Sequence, residues 1–239
     1  MFGICFLAYG DEHINEFNIV LDSLLTFNKD LKIFVGTDKP NKIGKGIYKI
    51  IKIDDEFNFN LKRIVIEEAL KEFDTILFLD TDIFIINGID FSVINNLNNN
   101  TIYADEIVDM NKLKDVYGSL DYMKEYIDIL TPMIDTPLFL VHEGLFILKT
   151  TNETKDLFLK NWREIDLQTR PYQKMAYDLL GAMEGLIIYI SLIKSNIWIE
   201  LAKNEIKNLY SKIAHFGSRN RKMIKTIIWC LQKKNVKLF

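Results

Sequence analysis

Cysteine, proline, glycine and histidine are all scarce in this 239-residue chain, at two, four, eleven and three residues. Cys5 and Cys230 lie in apolar surroundings near opposite ends, which suits buried thiols in a reducing compartment better than a disulfide framework. No Cys/His spacing fits zinc. So few prolines and glycines leave little material for linkers, and no internal repeat or low-complexity tract is present. One domain over residues 1–239 is therefore expected. Long apolar runs are missing too. Leu186 to Ile193 is far too short to span a bilayer, and the opening "MFGICFLAYGDEH" has neither a basic region before it nor a small-residue cleavage site after it. The expectation is a cytoplasmic protein, at most peripheral at a membrane surface.

Hydrophobic residues at 49% and charged residues at 26% are ordinary globular values, so a sizeable core is expected. The net charge of −3 hides an asymmetry. Eight of the 30 Lys and Arg follow Ser211, where no Asp or Glu occurs. A basic tail behind an acidic body suits contact with an anion, a pyrophosphate or a lipid surface; a solvated helix face explains it equally.

Strand and helix patterns alternate along the first ninety residues. Phe2 to Tyr9 is a continuous apolar run of the kind found in a central parallel strand. Asp11 to Phe27 carries apolar residues at helical spacing. Leu31 to Gly36 and Ile47 to Asp54 read as strands, Phe59 to Phe73 as a helix, and Thr75 to Asp80 as a fourth strand that "IFIING" continues. The second half is less regular. Asp109 to Leu130 reads as helix and connecting segment, Pro137 to Lys149 as a strand or strand pair, and Thr151–Trp162, Tyr172–Ile190 and Met223–Gln232 as helices. The alternation predicts an open α/β domain with a mixed, largely parallel central sheet flanked by helices. Residues 1–100 would form a nucleotide-binding half and 101–239 an acceptor-binding half. Such sheets bind ligands beyond their carboxyl strand ends, where Tyr9-Gly10 and Asp80-Thr81-Asp82 both fall.

The acidic triplet follows four apolar residues, Ile76 to Leu79. Carboxylates separated by one residue offer hard oxygen ligands that converge on Mg²⁺ or Mn²⁺, or on an ion and a ribose. The local string "ILFLDTDIFI" also resembles the first motif of haloacid-dehalogenase-type phosphatases, in which Asp80 would be a nucleophile. That family places the motif on its first strand and has Thr or Val where this chain has Phe84.

The chain resembles GT-A glycosyltransferases, in particular the glycogenin-like members of glycosyltransferase family 8, in element order and in several short motifs. "FLAYGD" matches the first strand end that touches uracil, through Ala8, Tyr9 and Gly10. "LKRIVIEEAL" offers Lys62 or Arg63 as the basic residue on the helix before the metal motif. "HEGLFILK" keeps the glycine of the second-half strand, Gly144, behind His142 and Glu143. "AHFGSRNRK" matches the closing His-x-x-Gly-x-x-Lys segment with its glycine one residue early, at Gly217. The resemblance implies a GT-A fold and a Mn²⁺ or Mg²⁺ site of Asp80, Asp82 and His215. Thr81 would contact the donor, and Arg219, Arg221 or Lys222 the phosphates.

It also implies transfer from a UDP-sugar, with retention, to a glycan, lipid-linked or protein hydroxyl, with no nucleic-acid partner. The family's Asp-Gln pair is only half present in "PYQKMAYD", leaving Gln173 as a candidate at the reacting face and Glu143 as an alternative acid. A non-catalytic nucleotide- or glycan-binding module is the further reading that the missing Asp keeps open. In the tail, Met223, Ile227, Ile228 and Leu231 share one helical face beside several cations. That face would lie on an anionic membrane or pack on the sheet.

Overall fold

The computed structural model describes residues 2–28, 30–55, 60–85, 89–110, 124–173, 181–202 and 213–215. Its centre is a seven-stranded sheet ordered β10-β6-β9-β4-β1-β2-β3. The strands are β1 (Gly3–Leu7), β2 (Ile33–Thr37), β3 (Lys49–Lys52), β4 (Thr75–Leu79), β6 (Thr101–Ala104), β9 (Leu145–Lys149) and β10 (Trp198–Leu201). Strands β4, β1, β2 and β3 run parallel to one another; β9 is antiparallel to both β4 and β6, and β10 is parallel to β6. The sheet is thus mixed, as expected. Its first half is wholly parallel, and the interruption comes from β9.

Alternation along each central strand divides the core between two faces. Cys5, Leu7, Ile76, Phe78, Phe146 and Leu148 face one side. There they meet α2 (Leu61–Leu70), α4 (Asn152–Gln173) and α5 (Gly181–Lys194). The cross-strand partners Phe78 and Phe146 stack with ring centroids 5.4 Å apart. Ile4, Phe6, Leu77, Leu79, Leu145 and Ile147 face the other side, against α1 (Gly10–Phe27). Helix α1 inserts Ile14, Phe17, Val20, Leu21 and Leu24 there, all fully buried. Each is worth about 1.5–3 kcal/mol relative to exposure. Trp198 on the edge strand β10 is exposed.

Two small antiparallel pairs lie outside the main sheet. β5 (Ile83–Ile85) pairs with β11 (Ile213–His215), and β7 (Ile107–Asp109) with β8 (Phe139–Val141). Several sequence expectations change here. The run after the acidic triplet does not prolong β4; the chain leaves the sheet at Asp80 and β5 finds a different partner. The apolar stretch from Pro137 to Lys149 holds two strands that pair in different sheets, broken at His142–Gly144. The expected Thr151–Trp162 helix runs on to Gln173 because Pro171 falls only in its last turn. Of the expected Tyr172–Ile190 helix, residues 172–173 belong to α4 and residues 181–190 to α5, and residues 174–180 lie outside the described residues. Of the segment Asp109 to Leu130, the described part includes α3 (Lys124–Leu130). The expected helix Met223–Gln232, with its membrane face, lies outside the described residues. Among the described residues no helix is long and apolar enough to cross a membrane.

Candidate functional site

Strand order fixes where a ligand can sit. β1 lies between β2 and β4, so the chain builds to one side of β1 first and then returns to the other. That reversal is a topological switch point, and open α/β sheets take ligands beyond the carboxyl ends of the strands at such a point, here β1 and β4. Gly3 is level with Ile76 and Cys5 with Phe78, so the register carries Ala8-Tyr9-Gly10 beside Asp80-Thr81-Asp82. The two segments singled out in the sequence therefore lie side by side at the switch point.

On the β1 side, Ala8 is buried and its N–H donates to the Gly36 carbonyl at 2.8 Å. The Tyr9 hydroxyl donates to the Asp55 carbonyl at 3.0 Å. Gly10 turns the chain into α1 at φ +77°, a conformation that favours glycine, and its N–H donates to Asp38 Oδ1 at 2.9 Å. Asp11 faces solvent between Lys39 and Lys42, whose hydrogen bonds hold its carboxyl down at about 2.

On the β4 side, the Asp80 N–H donates to the Gly144 carbonyl at 2.8 Å, which ties the triplet to the start of β9. Asp80 is partly exposed, whereas Thr81 and Asp82 are buried. The Thr81 hydroxyl donates to Glu16 Oε2 at 3.2 Å, and His13 Nδ1 lies 3.2 Å from the same oxygen. Helix α1 thereby holds the middle of the triplet through Glu16, a fully buried carboxylate.

Lys62 gathers the other side. It projects from the first turn of α2, with its ammonium 3.0 Å from Asp80 Oδ1 and 3.1 Å from Glu184 Oε2 on α5. It also donates to the Glu143 carbonyl at 3.3 Å and lies 5.1 Å from the Phe78 ring centroid. Burial opposes its charge, but Asp80, Glu184 and Glu143 outweigh burial and hold the ammonium above its ordinary pKa. For Glu184, burial prevails over the pull of Lys62, with Glu143 and Asp80 adding to it, and pushes the carboxyl up to about 8. Glu143 moves up for the same first reason. Arg63, the alternative to Lys62, points elsewhere: it pairs with Glu67 at 2.9 Å on the face of α2 toward α4, where Arg163 meets the same carboxylate.

The glycine before β9 has a steric reason. A Cβ on Gly144 would sit 2.7 Å from Asp80 Oδ2 and 3.4 Å from His142 Cε1. His142 flanks the same point, with Nδ1 2.6 Å from Asp105 Oδ1 at the end of β6. Burial alone would lower its pKa, but the hydrogen bond and charge of Asp105 raise it.

His215 reaches the triplet through backbone pairing: on β11 it stands opposite Ile83, the residue after Asp82. Its side chain lies outside the described residues, as do Gly217, Arg219, Arg221 and Lys222. Gln173 ends α4, and its side chain is likewise outside the description. Among the described residues no set of three or more His, Cys, Asp or Glu side chains is grouped so as to hold a metal ion. The donors present nonetheless fit one chemically. Asp80 offers a partly exposed hard carboxylate with room secured at Gly144, and Asp82 is two residues away.

Glu184, Glu16 and the His142–Asp105 pair were not among the residues singled out in the sequence. A readable signal existed for Glu184, a lone acid in the otherwise apolar stretch "GAMEGLIIYISLI".

No protein-family model matches the chain, and no curated protein matches it by sequence. Among solved structures the chain is similar to the crystal structure of the galactosyltransferase LgtC in complex with donor and acceptor sugar analogues. The identity is 13% and the TM-score 0.47, over 92% of this chain and 81% of that one.

Proposed function

We propose that this chain is a metal-dependent glycosyltransferase of the GT-A type, moving a sugar from a nucleotide sugar to a hydroxyl acceptor. The observation that carries the proposal is the placement of Asp80 and Asp82 at the carboxyl end of β4. There they stand beside the end of β1 at the switch point, with β11 and His215 paired just beyond them. The motifs resembling family 8 favour a UDP-sugar, retention of configuration, and a glycan, lipid-linked or protein hydroxyl as acceptor. The same fourth-strand position is foreign to the phosphatase motif, so Asp80 is assigned as a ligand rather than a nucleophile.

Asp80, Asp82 and His215 would hold Mn²⁺ or Mg²⁺, which supplies positive charge for the leaving diphosphate. Tyr9 offers a ring at the β1 end for the base to stack on, and Gly10 lets the backbone approach the nucleoside. Lys62 adds a fixed ammonium beside Asp80, a donor of charge-assisted hydrogen bonds. Arg219, Arg221 or Lys222 would serve the phosphates. Glu143 is the acidic group assigned to the sugar's reacting face, and Gln173 is the alternative.

Thermal denaturation with UDP, with and without Mn²⁺, tests the proposal. The expected result is stabilisation by UDP that requires Mn²⁺, together with metal-dependent hydrolysis of at least one UDP-sugar in a panel. Stabilisation by Mg²⁺ with a phosphate mimic but not by UDP would overturn it in favour of a phosphatase. Binding of UDP-sugar with neither hydrolysis nor transfer would reduce the chain to a binding module.

A further inference from the structure

Lys62 serves two carboxylates of unlike character. Asp80 is partly exposed at the switch point, whereas Glu184 is fully buried. Among the described residues neither Glu184 oxygen has a hydrogen-bond partner; the Lys62 ammonium is within ion-pair distance but off hydrogen-bond geometry. A buried carboxylate is costly unless an opposite charge compensates it, so Glu184 depends on Lys62. An ammonium has three N–H groups and no acceptor. Lys62 donates to the Glu143 carbonyl at 3.3 Å and stands at ion-pair distance from both Asp80 and Glu184, 3.0 and 3.1 Å away.

We propose that Lys62 is a resident counter-ion of Asp80, tethered by Glu184, and that a divalent cation entering the triplet competes with it for the Asp80 carboxylate. The inference rests on the cation site proposed above. The inward carboxylate keeps Lys62 from swinging fully onto Asp80 and leaves Asp80 available to the incoming ion. Glu184 is thus a positioning residue that acts on cation binding through Lys62, without touching the ion.

Two changes should have opposite effects. Glu184→Gln removes the tether's charge, so Lys62 turns to Asp80 and affinity for the cation falls. The double change Lys62→Met with Glu184→Gln removes the competitor, so affinity rises. The double change also avoids stranding Glu184 as a buried unpaired charge, which would threaten folding in Lys62→Met alone.

The test is titration of the full chain with Mn²⁺ alone at about pH 8.5 in deoxygenated buffer, where the Glu184 carboxyl, raised to about 8, carries its charge; free Mn²⁺ is followed by electron paramagnetic resonance, and circular dichroism verifies that each variant is folded. Glu184→Gln is expected to bind about tenfold more weakly than the unmodified chain and the double variant about tenfold more tightly, mid-range for directly contacting residues. A double variant no tighter than the unmodified chain, or a Glu184→Gln variant of unchanged affinity, would overturn the inference and leave the cation site standing. Failure of the unmodified chain and of both variants to bind Mn²⁺ would remove the cation site itself.

Discussion

Replacing Gly144 by alanine separates what this glycine does for the site from what it does for the fold. The added Cβ would stand 2.7 Å from Asp80 Oδ2, where ordinary contact begins at 3.4 Å, so the carboxylate must retreat by about 0.7 Å. Its freedom to do so is limited. Oδ1 is held 3.0 Å from Lys62, and the Asp80 N–H is bonded to the Gly144 carbonyl itself. Metal–ligand distances tolerate only about 0.2 Å, so a displacement of this size takes the oxygen out of ligand range. The fold should feel far less. Gly144 does not adopt the left-handed conformation, so alanine gains about 0.4–1 kcal/mol by restricting the unfolded chain, which offsets much of the steric cost. A net change of about 1 kcal/mol or less moves the melting temperature of a chain this size by about 2–4 °C. Mn²⁺ affinity, in contrast, should fall by about 10–100-fold, the range for disturbing a ligand's surroundings. Melting followed by circular dichroism and Mn²⁺ titration together give the answer. Affinity within twofold of the unmodified chain would refute the steric argument, and a melting temperature lower by more than 10 °C would show the glycine to be structural instead.

Trp162→Phe removes the Nε1–H bond to Asn60 Oδ1 (3.0 Å), which joins α4 to the residue before α2; urea denaturation should show a loss of about 1–3 kcal/mol. Burial raises the Glu184 carboxyl from 4.5 to about 8, so the folded chain binds more protons than the unfolded chain between those values. This group's contribution to stability is therefore greatest below pH 4.5 and is lost as pH rises to about 8. Glu184→Gln should flatten that part of the curve of urea midpoint against pH. Cys5 is fully buried and burial raises its thiol pKa, so in a Cys230→Ser variant Ellman's reagent should react only after denaturation.

β1, β2 and β4 were legible because they are buried on both faces, and β1 and β4 read as unbroken apolar runs, "GICFL" and "TILFL". β6 and β10 were not. "TIYA" is four residues beside a polar loop, and "WIEL" is an edge strand with Trp198 and Leu201 exposed, so neither has the pattern of a buried strand. β9 was legible as a strand but not in direction, because antiparallel placement follows from tertiary crossings that periodicity does not encode. At the site, the triplet, Lys62 and Gly144 stood out by residue type and neighbours. Glu16 did not, since a glutamate on a helix is ordinarily solvated and only packing shows it enclosed; Glu184 could be picked out only by its place in an apolar stretch. Arg63 and Lys62 were equivalent in sequence; the 100° between successive helix positions sends one to α4 and the other to Asp80.

The pairing of β5 with β11 has a consequence for the order of synthesis. The main sheet draws its last strand from residues up to Leu201, whereas β11 begins at Ile213. A chain emerging from the ribosome therefore has every strand of the sheet before it has the partner of β5. Formation of the main sheet and the pairing of β11 with β5 are then successive events. A nascent chain long enough to resist protease through its core would still be unable to bring His215 beside the triplet.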